Sequence, residues 1–261
     1  MKIKDRLKVA GIQLSSVPCF RENVRSVTEM LEKTSEKSPD LAILPENLFV
    51  HGDFGKIKKN AMELREWMDL LSSIKSNAKI SSFIVWGGLP ILREGEIFNS
   101  SIVTDPSGAV VTIYEKNRLF SFSGEKSVTE SDVYSRGERG AAFETYGWRI
   151  VLSICFDLRY PELFRRYNNP DLIVCTAAFT RKTGRAHWEI LLKARAIENQ
   201  SYVIGVNQWT ESQPDYPPTY GHTIIIDPWG EVLSVKKYGK GIISQMIMRR
   251  KLVKIRNMIK I

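Results

Sequence analysis

The sequence is poor in cysteine and lacks long apolar runs. Three cysteines in 261 residues are too few, and odd in number, for a disulfide-stapled secreted fold, and they predict a reducing, cytoplasmic location. No stretch reaches the roughly 18 consecutive apolar residues that cross a bilayer. Residues 1–8 alternate charged and apolar side chains where a signal peptide would be apolar. These absences argue against a membrane protein and against an exported one.

The sequence also has few histidines and no glycine-rich motif that would bind phosphate. The three histidines, His51, His187 and His222, form no pair at metal-ligand spacing. Residues 187–189 match the His-x-Glu half of a zinc deaminase signature, but the Pro-Cys-x-x-Cys half does not follow. No glycine-rich phosphate loop is present. We therefore expect neither a metal site nor a bound cofactor.

Acidic residues are absent from the last 30 positions. Residues 232–261 hold nine Lys and Arg and no Asp or Glu, so the net charge of +9 belongs to this tail and residues 1–231 are neutral. Apolar residues recur at helical spacing there and predict a basic C-terminal helix at about 248–261. Such a helix either binds a membrane surface or nucleic acid or packs on its own domain. Because the body is neutral, we do not expect a nucleic-acid partner.

Short runs rich in Val, Ile and Leu alternate with helical spacings along the chain, with no linker between them. Two Asp-Pro-x-Gly turns, at 105–108 and 227–230, lie 122 residues apart, and each follows the same series of strand, helix, strand, helix and strand. This pattern predicts one α/β domain over residues 1–261, built from two similar halves. Each half would form a sheet with helices on one face, and the two bare faces would pack together.

Three chemically active side chains each follow a predicted strand. Cys155 ends an apolar run just before a helix opened by Pro161, where backbone N–H groups and the helix dipole favour a thiolate. Glu46 and Lys116 also come at strand ends. Taken alone, each is more often a core cysteine or a surface charge. Because parallel strand ends converge in α/β folds, the three together form a candidate catalytic set.

The segments that carry these residues resemble a known family. The stretches Leu44–Asn47 (LPEN), Tyr114–Phe120 (YEKNRLF) and Ile154–Glu162 (ICFDLRYPE) are similar to the three signatures of the nitrilase superfamily of carbon–nitrogen hydrolases, in that family's order and at its usual separations. A fourth block, residues 186–199, most resembles the amidase branch that includes omega-amidase. The resemblance covers the chain from Val9 to about Ile255.

The resemblance implies a fold and a reaction. The fold would be a four-layer α-β-β-α sandwich, usually assembled through its helical layers into homodimers or larger homo-oligomers. The reaction would be hydrolysis of a small linear amide to a carboxylate and ammonia through a cysteine thioester, without a cofactor. An N-carbamoyl amine remains an alternative substrate class. A non-enzymatic binding module that uses the basic tail remains an alternative of a different kind.

The resemblance also implies roles for particular residues. Cys155 would be the nucleophile and Glu46 the general base. Lys116 and the backbone N–H of Phe156 would stabilise the oxyanion.

The family has a second glutamate, after the lysine motif, that positions the substrate amide and supports the lysine. Glu130 matches it best, and Glu125 and Glu138 are nearby competitors.

A further set of residues would contact the substrate, since segment 178–184 lies beside the pocket in the superfamily. The expected substrate-binding residues are Phe156, Phe179, Thr180 and Arg181. Arg181, Lys182 and Arg185 either bind an anionic substrate, such as the monoamide of a dicarboxylic acid, or are solvated surface bases.

Overall fold

The computed structural model describes residues 3–52, 54–123, 128–212 and 216–260. Its strands are β1 (Arg6–Gln13), β2 (Leu41–Ile43), β3 (Met62–Glu63), β4 (Phe83–Arg93), β5 (Glu96–Thr104), β6 (Val110–Glu115), β7 (Ser121–Phe122), β8 (Val128–Thr129), β9 (Ala142–Thr145), β10 (Trp148–Ile154), β11 (Leu172–Ala177), β12 (Tyr202–Asn207), β13 (Thr223–Ile226), β14 (Val232–Lys236) and β15 (Gly241–Met248).

Helices occupy both outer faces of the sheets. They are α1 (Phe20–Ser35), α2 (Phe54–Lys59), α3 (Leu64–Asn77), α4 (Glu162–Arg165), α5 (Arg181–Thr183), α6 (Glu189–Glu198) and α7 (Arg249–Met258), with 3-10 turns at Glu130–Asp132 and Cys155–Arg159 and a π-helical turn at Gly184–Trp188. In the described part of the chain, none of the helices is both long and apolar enough to span a membrane.

The strands form two large sheets with matching topology. The first has the order β15-β1-β2-β4-β5-β6, with β3 added beside β4, and the second has the order β9-β10-β11-β12-β13-β14. In each sheet three central strands are parallel, namely β1-β2-β4 and β10-β11-β12. The other strand pairs are antiparallel, except that the short β3 runs parallel to β4. Strand β15 pairs with β1 as β9 pairs with β10. The two similar halves predicted from the turns are confirmed.

Successive side chains of a strand point to opposite faces of its sheet, and in both sheets both faces are buried. In the segment Leu41–Leu44, Leu41 and Ile43 contribute to the core between the sheets, while Ala42 and Leu44 pack under the helices of the first half. The second sheet divides in the same way: Leu152 faces the central core, whereas Val151 packs toward the α6 side. Since both faces of both sheets are covered, the layers run α-β-β-α, as predicted.

The basic tail packs on its own chain. Strand β15 lies in the first sheet, and helix α7 buries Leu252 and Ile255. Lys251 forms an ion pair with Asp227, a buried residue of the second Asp-Pro-x-Gly turn. Arg256 Nη1 lies 3.2 Å from Asp171 Oδ1. Several bases of the tail are therefore held by acids of residues 1–231.

Candidate active site

The proposed catalytic side chains meet where strands of both sheets end. Glu46 lies three residues beyond β2 of the first sheet, and Cys155 directly follows β10 of the second. The parallel pairing of β10 with β11 brings Ala178, just past the end of β11, beside Cys155. The backbone N–H of Ala178 donates to Glu46 Oε2 at 2.9 Å, so this hydrogen bond joins the two halves at the site.

Glu46 is buried and held by several donors. Lys116 Nζ and Asn99 Nδ2 each donate to Glu46 Oε1 at 2.9 Å. Burial alone would raise the pKa of Glu46, but the Lys116 ammonium and hydrogen bonds from Lys116, Cys155 and Asn99 outweigh it and lower the pKa below 4.5. Glu46 is therefore an ionised carboxylate at neutral pH.

Two glycines of β4 allow the chain to pass close to Glu46. A Cβ atom at Gly87 would lie 2.5 Å from the carbonyl oxygens of Leu44 and Pro45. At Gly88, where φ is +39°, a Cβ atom would lie 2.6 Å from Glu46 Cγ. The Gly-Gly pair lies at an irregularity in the pairing of β4 with β5, between Trp86 and Leu89, and forms part of the wall behind the carboxylate.

Lys116 is a buried ammonium between two carboxylates. Its Nζ donates to Glu46 Oε1 at 2.9 Å and to Glu130 Oε1 at 2.8 Å, and its side chain has no exposed surface. Burial would lower the pKa of Lys116, but the charges of Glu130 and Glu46 raise it well above 10.5. Lys116 therefore carries a fixed positive charge at the site.

Of the three candidates for the second glutamate, Glu130 lies at the site. Its Oε2 accepts a hydrogen bond from the backbone N–H of Phe120 at 2.7 Å, while its Oε1 contacts Lys116. Burial and the nearby Glu46 charge raise the pKa of Glu130 despite the ammonium. Glu138 lines a separate surface groove beside Glu115, and Glu125 lies outside the described residues.

Cys155 has a strained backbone and a protonated thiol. Its φ is +48°, a left-handed conformation that is unfavourable for residues with a Cβ and is concentrated at functional sites. Burial, together with the Glu46 carboxylate, raises the pKa of the thiol well above 9. The thiol also hydrogen-bonds to Glu46. At neutral pH the resting pair is therefore a thiol and a carboxylate.

Asp157 fixes the turn that presents Cys155, a role that sequence reasoning missed. It accepts hydrogen bonds from the backbone N–H groups of Ile154 at 2.9 Å and Arg118 at 2.8 Å, and from the Tyr114 hydroxyl at 2.7 Å. Burial raises the pKa of Asp157 to about 6 despite these donors. The only sequence signal was its place within the third signature.

Asn99 is a second missed residue. It lies in β5, between the buried Phe98 and Ser100, and its amide reaches Glu46 across 53 positions of sequence. A run of polar residues inside a buried strand, Asn99-Ser100-Ser101, was the available signal. Buried amides are almost always hydrogen-bonded, so this run pointed to a polar partner nearby.

A cavity of about 140 Å³ opens over Cys155, Glu46 and Glu130. Most of its wall is aromatic or aliphatic, and residues from both halves contribute to it. The expected substrate-binding residues Phe156, Phe179 and Thr180 are among the lining residues. Within the described residues, no group of His, Cys, Asp and Glu is arranged to hold a metal ion.

Among the described residues, the arginine that lines this cavity is Arg159 and not Arg181. Arg181 Nη2 instead donates to the carbonyl of Thr210 at 3.2 Å and lies 3.3 Å from Glu211 Oε2. Arg159 packs against the rings of Phe156 and Phe179, each at 5.6 Å from its guanidinium carbon. Lys182 and Arg185 are likewise not among the lining residues.

The fold and this cluster define a structural class. The chain superposes on Nit3 of Saccharomyces cerevisiae, a member of branch 10 of the nitrilase superfamily, with a TM-score of 0.89, 24% identity, and coverage of 99% of this chain and 96% of that one. It also superposes on XC1258 of Xanthomonas campestris, a CN-hydrolase superfamily protein, with a TM-score of 0.84, 25% identity, and coverage of 98% and 95%. The α-β-β-α sandwich is that of nitrilase-superfamily proteins.

The sequence places the chain in a family within that class. The carbon–nitrogen hydrolase family model matches residues 8–256, and the chain belongs to this family. It is 34% identical to the deaminated glutathione amidase of Dictyostelium discoideum, over 88% of this chain and 84% of that one. It is 30% identical to an omega-amidase of Bos taurus, over 98% and 93%.

Replacing Lys116 by Met tests the electrostatics of the cluster. Without the ammonium, the buried carboxyls of Glu46 and Glu130 hold protons to higher pH than in the unfolded chain. The free energy of unfolding of the variant then falls as pH rises above the 4.5 usual for a glutamate. We expect the free energy of unfolding of Lys116→Met to be roughly 3–5 kcal/mol below that of the wild-type protein at pH 7. The difference is smaller at pH 5, and urea denaturation measures both values.

Lys75 provides the control for this prediction. It is also a buried lysine, but its ammonium is held by the backbone carbonyls of Ser82 and Asp105. Lys75→Met therefore changes stability by similar amounts at pH 5 and pH 7. A Lys116→Met deficit of equal size at both pH values would contradict the assigned charge coupling.

Proposed function

We propose that this protein hydrolyses the C–N bond of a small linear amide, releasing a carboxylate and ammonia, with Cys155 as the nucleophile. The observation that carries the proposal is a protonated thiol and an ionised carboxylate on the wall of one cavity, with the buried Lys116 ammonium bonded to that carboxylate. The amidase names of two relatives support an amide substrate.

In the first step Cys155 attacks the amide carbonyl carbon. Glu46 accepts the thiol proton as the S–C bond forms, because a protonated thiol is a poor nucleophile and the carboxylate already contacts it. The carbonyl oxygen takes up the electron pair and becomes an oxyanion. The Lys116 ammonium and the Phe156 backbone N–H are the donors that stabilise it, and the ammonium needs no reorganisation because Glu46 and Glu130 fix it.

The intermediate then collapses with cleavage of the C–N bond. Glu46 returns the proton to the departing nitrogen, so ammonia leaves and the acyl group remains on Cys155 as a thioester. A water molecule next attacks the thioester carbon while Glu46 takes one of its protons. The C–S bond breaks, the proton returns to the Cys155 sulfur, and the carboxylic acid is released.

Glu130 acts as a positioning residue in this scheme. It orients the Lys116 ammonium through Oε1 and fixes the backbone of Phe120 through Oε2. Phe120 in turn packs edge-on against Phe156, with ring centroids 5.4 Å apart. This chain of contacts links Glu130 to the aromatic wall of the cavity and supports its assignment as the second glutamate.

The reaction is tested by incubating the purified protein with a panel of linear amides and measuring ammonia. With a turned-over amide, Cys155→Ala reduces kcat at least about 10³-fold because the thioester cannot form. Glu46→Gln reduces it by roughly 10²–10⁴-fold, the range for a general base. Mass spectrometry of the wild-type protein, acid-quenched during turnover, shows an acyl adduct on the peptide that contains Cys155.

The buried Cys175 provides the matched control for Cys155. Its sulfur packs under the helical layer of the second half and is absent from the cavity wall, so Cys175→Ala retains turnover. Full activity of Cys155→Ala would refute the mechanism. Ammonia released only from N-carbamoyl amines would move the substrate to that class and leave the catalytic residues unchanged.

Arg159 supports an anionic substrate, such as the monoamide of a dicarboxylic acid. Its guanidinium lies at the wall of the cavity, 5.6 Å from the centroids of two aromatic rings, and one of its nitrogens contacts His187 Nδ1 at 3.1 Å. An arginine fork matches the geometry of a carboxylate. Arg181, one of the three bases that the sequence offered for this role, contacts Thr210 and Glu211 instead.

Replacing each arginine by Met tests whether Arg159 or Arg181 binds the carboxylate of the substrate. Arg159→Met raises KM for a dicarboxylate monoamide by about tenfold or more, since a charged hydrogen bond contributes roughly 1.5–3 kcal/mol, and leaves KM for a neutral aliphatic amide nearly unchanged. Arg181→Met affects neither substrate by more than about twofold. Steady-state ammonia release measures these KM values. An equal rise in KM for both substrates in Arg159→Met would rule out carboxylate recognition by Arg159.

An exposed apolar stripe on α6 supports a homo-oligomer assembled through a helical layer. Ile190 and Ile197 lie seven residues apart on one face of α6 and are 69% and 55% exposed. Trp229, 50% exposed, lies beside Ile197 at the rim of the same surface groove. Contiguous exposed apolar surface of this kind marks an interaction face.

Light scattering tests the proposed assembly. The wild-type protein is expected at a multiple of its 29.8 kDa mass, and Ile197→Asp shifts it toward the monomer because a charge would be buried at the interface. Val110→Asp, at an exposed apolar residue of strand β6, leaves the mass unchanged. A monomeric wild-type protein would contradict the proposal.

A further inference from the structure

His51 is a buried histidine whose ring nitrogens have no hydrogen-bond partner. It lies five residues after Glu46, on the segment that leads to α2, and only 7% of its surface is exposed. Its ring packs edge-on against Tyr216, with centroids 4.6 Å apart. In the described part of the chain neither Nδ1 nor Nε2 finds a partner, and the residue lines the cavity over Cys155.

A second polar group without a hydrogen-bond partner belongs to a residue of the same cavity wall. The hydroxyl of Tyr134 is buried and also lacks a partner among the described residues, and Tyr134 is 4% exposed. Its backbone N–H donates to the carbonyl of Glu130 at 2.8 Å, which places it beside the second glutamate. Among the described residues, His51 and Tyr134 therefore add unpartnered polar groups to the cavity wall, as does Nε of Arg159.

The other two histidines differ from His51 in having partners for their rings. His222 is equally buried, but its Nδ1 contacts Glu189 Oε1 at 2.9 Å and its ring stacks on Tyr220. His187 contacts the Arg159 guanidinium. Buried polar side chains in native proteins are almost always partnered, so an unpartnered pair that faces a substrate cavity indicates that a ligand supplies the partner.

The charges around His51 and Tyr134 select the kind of ligand group. Burial lowers the pKa of His51 to about 4, although the Glu46 carboxylate opposes this shift. The ring is therefore uncharged at neutral pH and offers one N–H donor and one acceptor nitrogen. His51 lies within the electrostatic influence of Glu46, and Tyr134 lies within that of two carboxyl groups, Glu46 and Glu130, and of one ammonium, Lys116. A second anion would be repelled there.

We propose that His51 and Tyr134 recognise an uncharged polar group, a keto or hydroxyl oxygen, on the acyl chain of the substrate. The inference rests on the proposed amidase function and divides recognition into two parts. Arg159 binds a charged end of the substrate, and His51 with Tyr134 selects an oxygen function along the chain. His51 is a specificity residue, since no hydrogen bond joins its ring to Glu46 or to Cys155 in the described structure.

The test compares amides that differ in one oxygen function. The substrates are the monoamide of pentanedioic acid and its derivatives with a keto or hydroxyl group at carbon 2 or carbon 4. We expect wild-type kcat/KM to be highest for one of the derivatives. His51→Phe lowers that value at least about tenfold, because polar groups built to bind an oxygen discriminate strongly, and changes the unsubstituted monoamide by less than about threefold.

Two further variants restore or remove the hydrogen bonds selectively. His51→Gln keeps a donor and an acceptor and recovers part of the preference for the oxygenated substrate. Tyr134→Phe removes only the hydroxyl and lowers the same preference. His222→Asn is the matched control at a buried histidine outside the cavity, and it leaves the ratio of the two kcat/KM values unchanged.

A thermal measurement distinguishes recognition from a structural role. The substitution His51→Phe keeps an aromatic contact with Tyr216 and removes an unpartnered polar ring, so the melting temperature of the free protein stays the same or rises. A lower melting temperature together with equal losses on every amide would overturn the inference and leave the amidase function standing. Absence of ammonia release from every member of the panel by the wild-type protein would overturn both.

Discussion

One buried ammonium, shared by two carboxylates, is the interaction on which the site depends. Lys116 has no exposed side-chain surface and donates to both Glu46 and Glu130. Without it, two carboxylates in a low-dielectric interior would take up protons, and the free energy of folding would carry the cost of their burial. The same ammonium keeps Glu46 ionised beside the protonated thiol of Cys155. Stability and proposed chemistry therefore rest on the same charges.

The two-sheet architecture supplies these charges from distant parts of the chain. Glu46 follows a strand of the first sheet and Cys155 a strand of the second, and the hydrogen bond from Ala178 to Glu46 joins them across the sandwich. The left-handed backbone of Cys155 is tolerated because Asp157 holds the turn that follows it with three hydrogen bonds. Rigid apolar layers on both sides leave the few polar groups fixed in place.

Basic residues of the tail form ion pairs that hold it to the rest of the chain, which the overall composition does not reveal. The excess of +9 lies in the last 30 residues, yet Lys251 pairs with Asp227, and Arg249 and Arg256 both contact Asp171. These contacts, with the buried face of α7, attach the end of the chain to the second half, while β15 completes the first sheet. Net charge alone is a poor guide to a partner when its bases have acids close by in the fold.

The sequence by itself determined the features that depend on local pattern. Short runs rich in Val, Ile and Leu predicted strands, the two Asp-Pro-x-Gly turns predicted the paired halves, and three motifs singled out Glu46, Lys116 and Cys155. Only the tertiary structure decided that Asn99 reaches Glu46, that Arg159 and His51 face the cavity, and that Arg181 contacts Glu211. The reason is physical: a motif fixes residue types and spacing, whereas the direction of a side chain depends on packing between segments far apart in sequence.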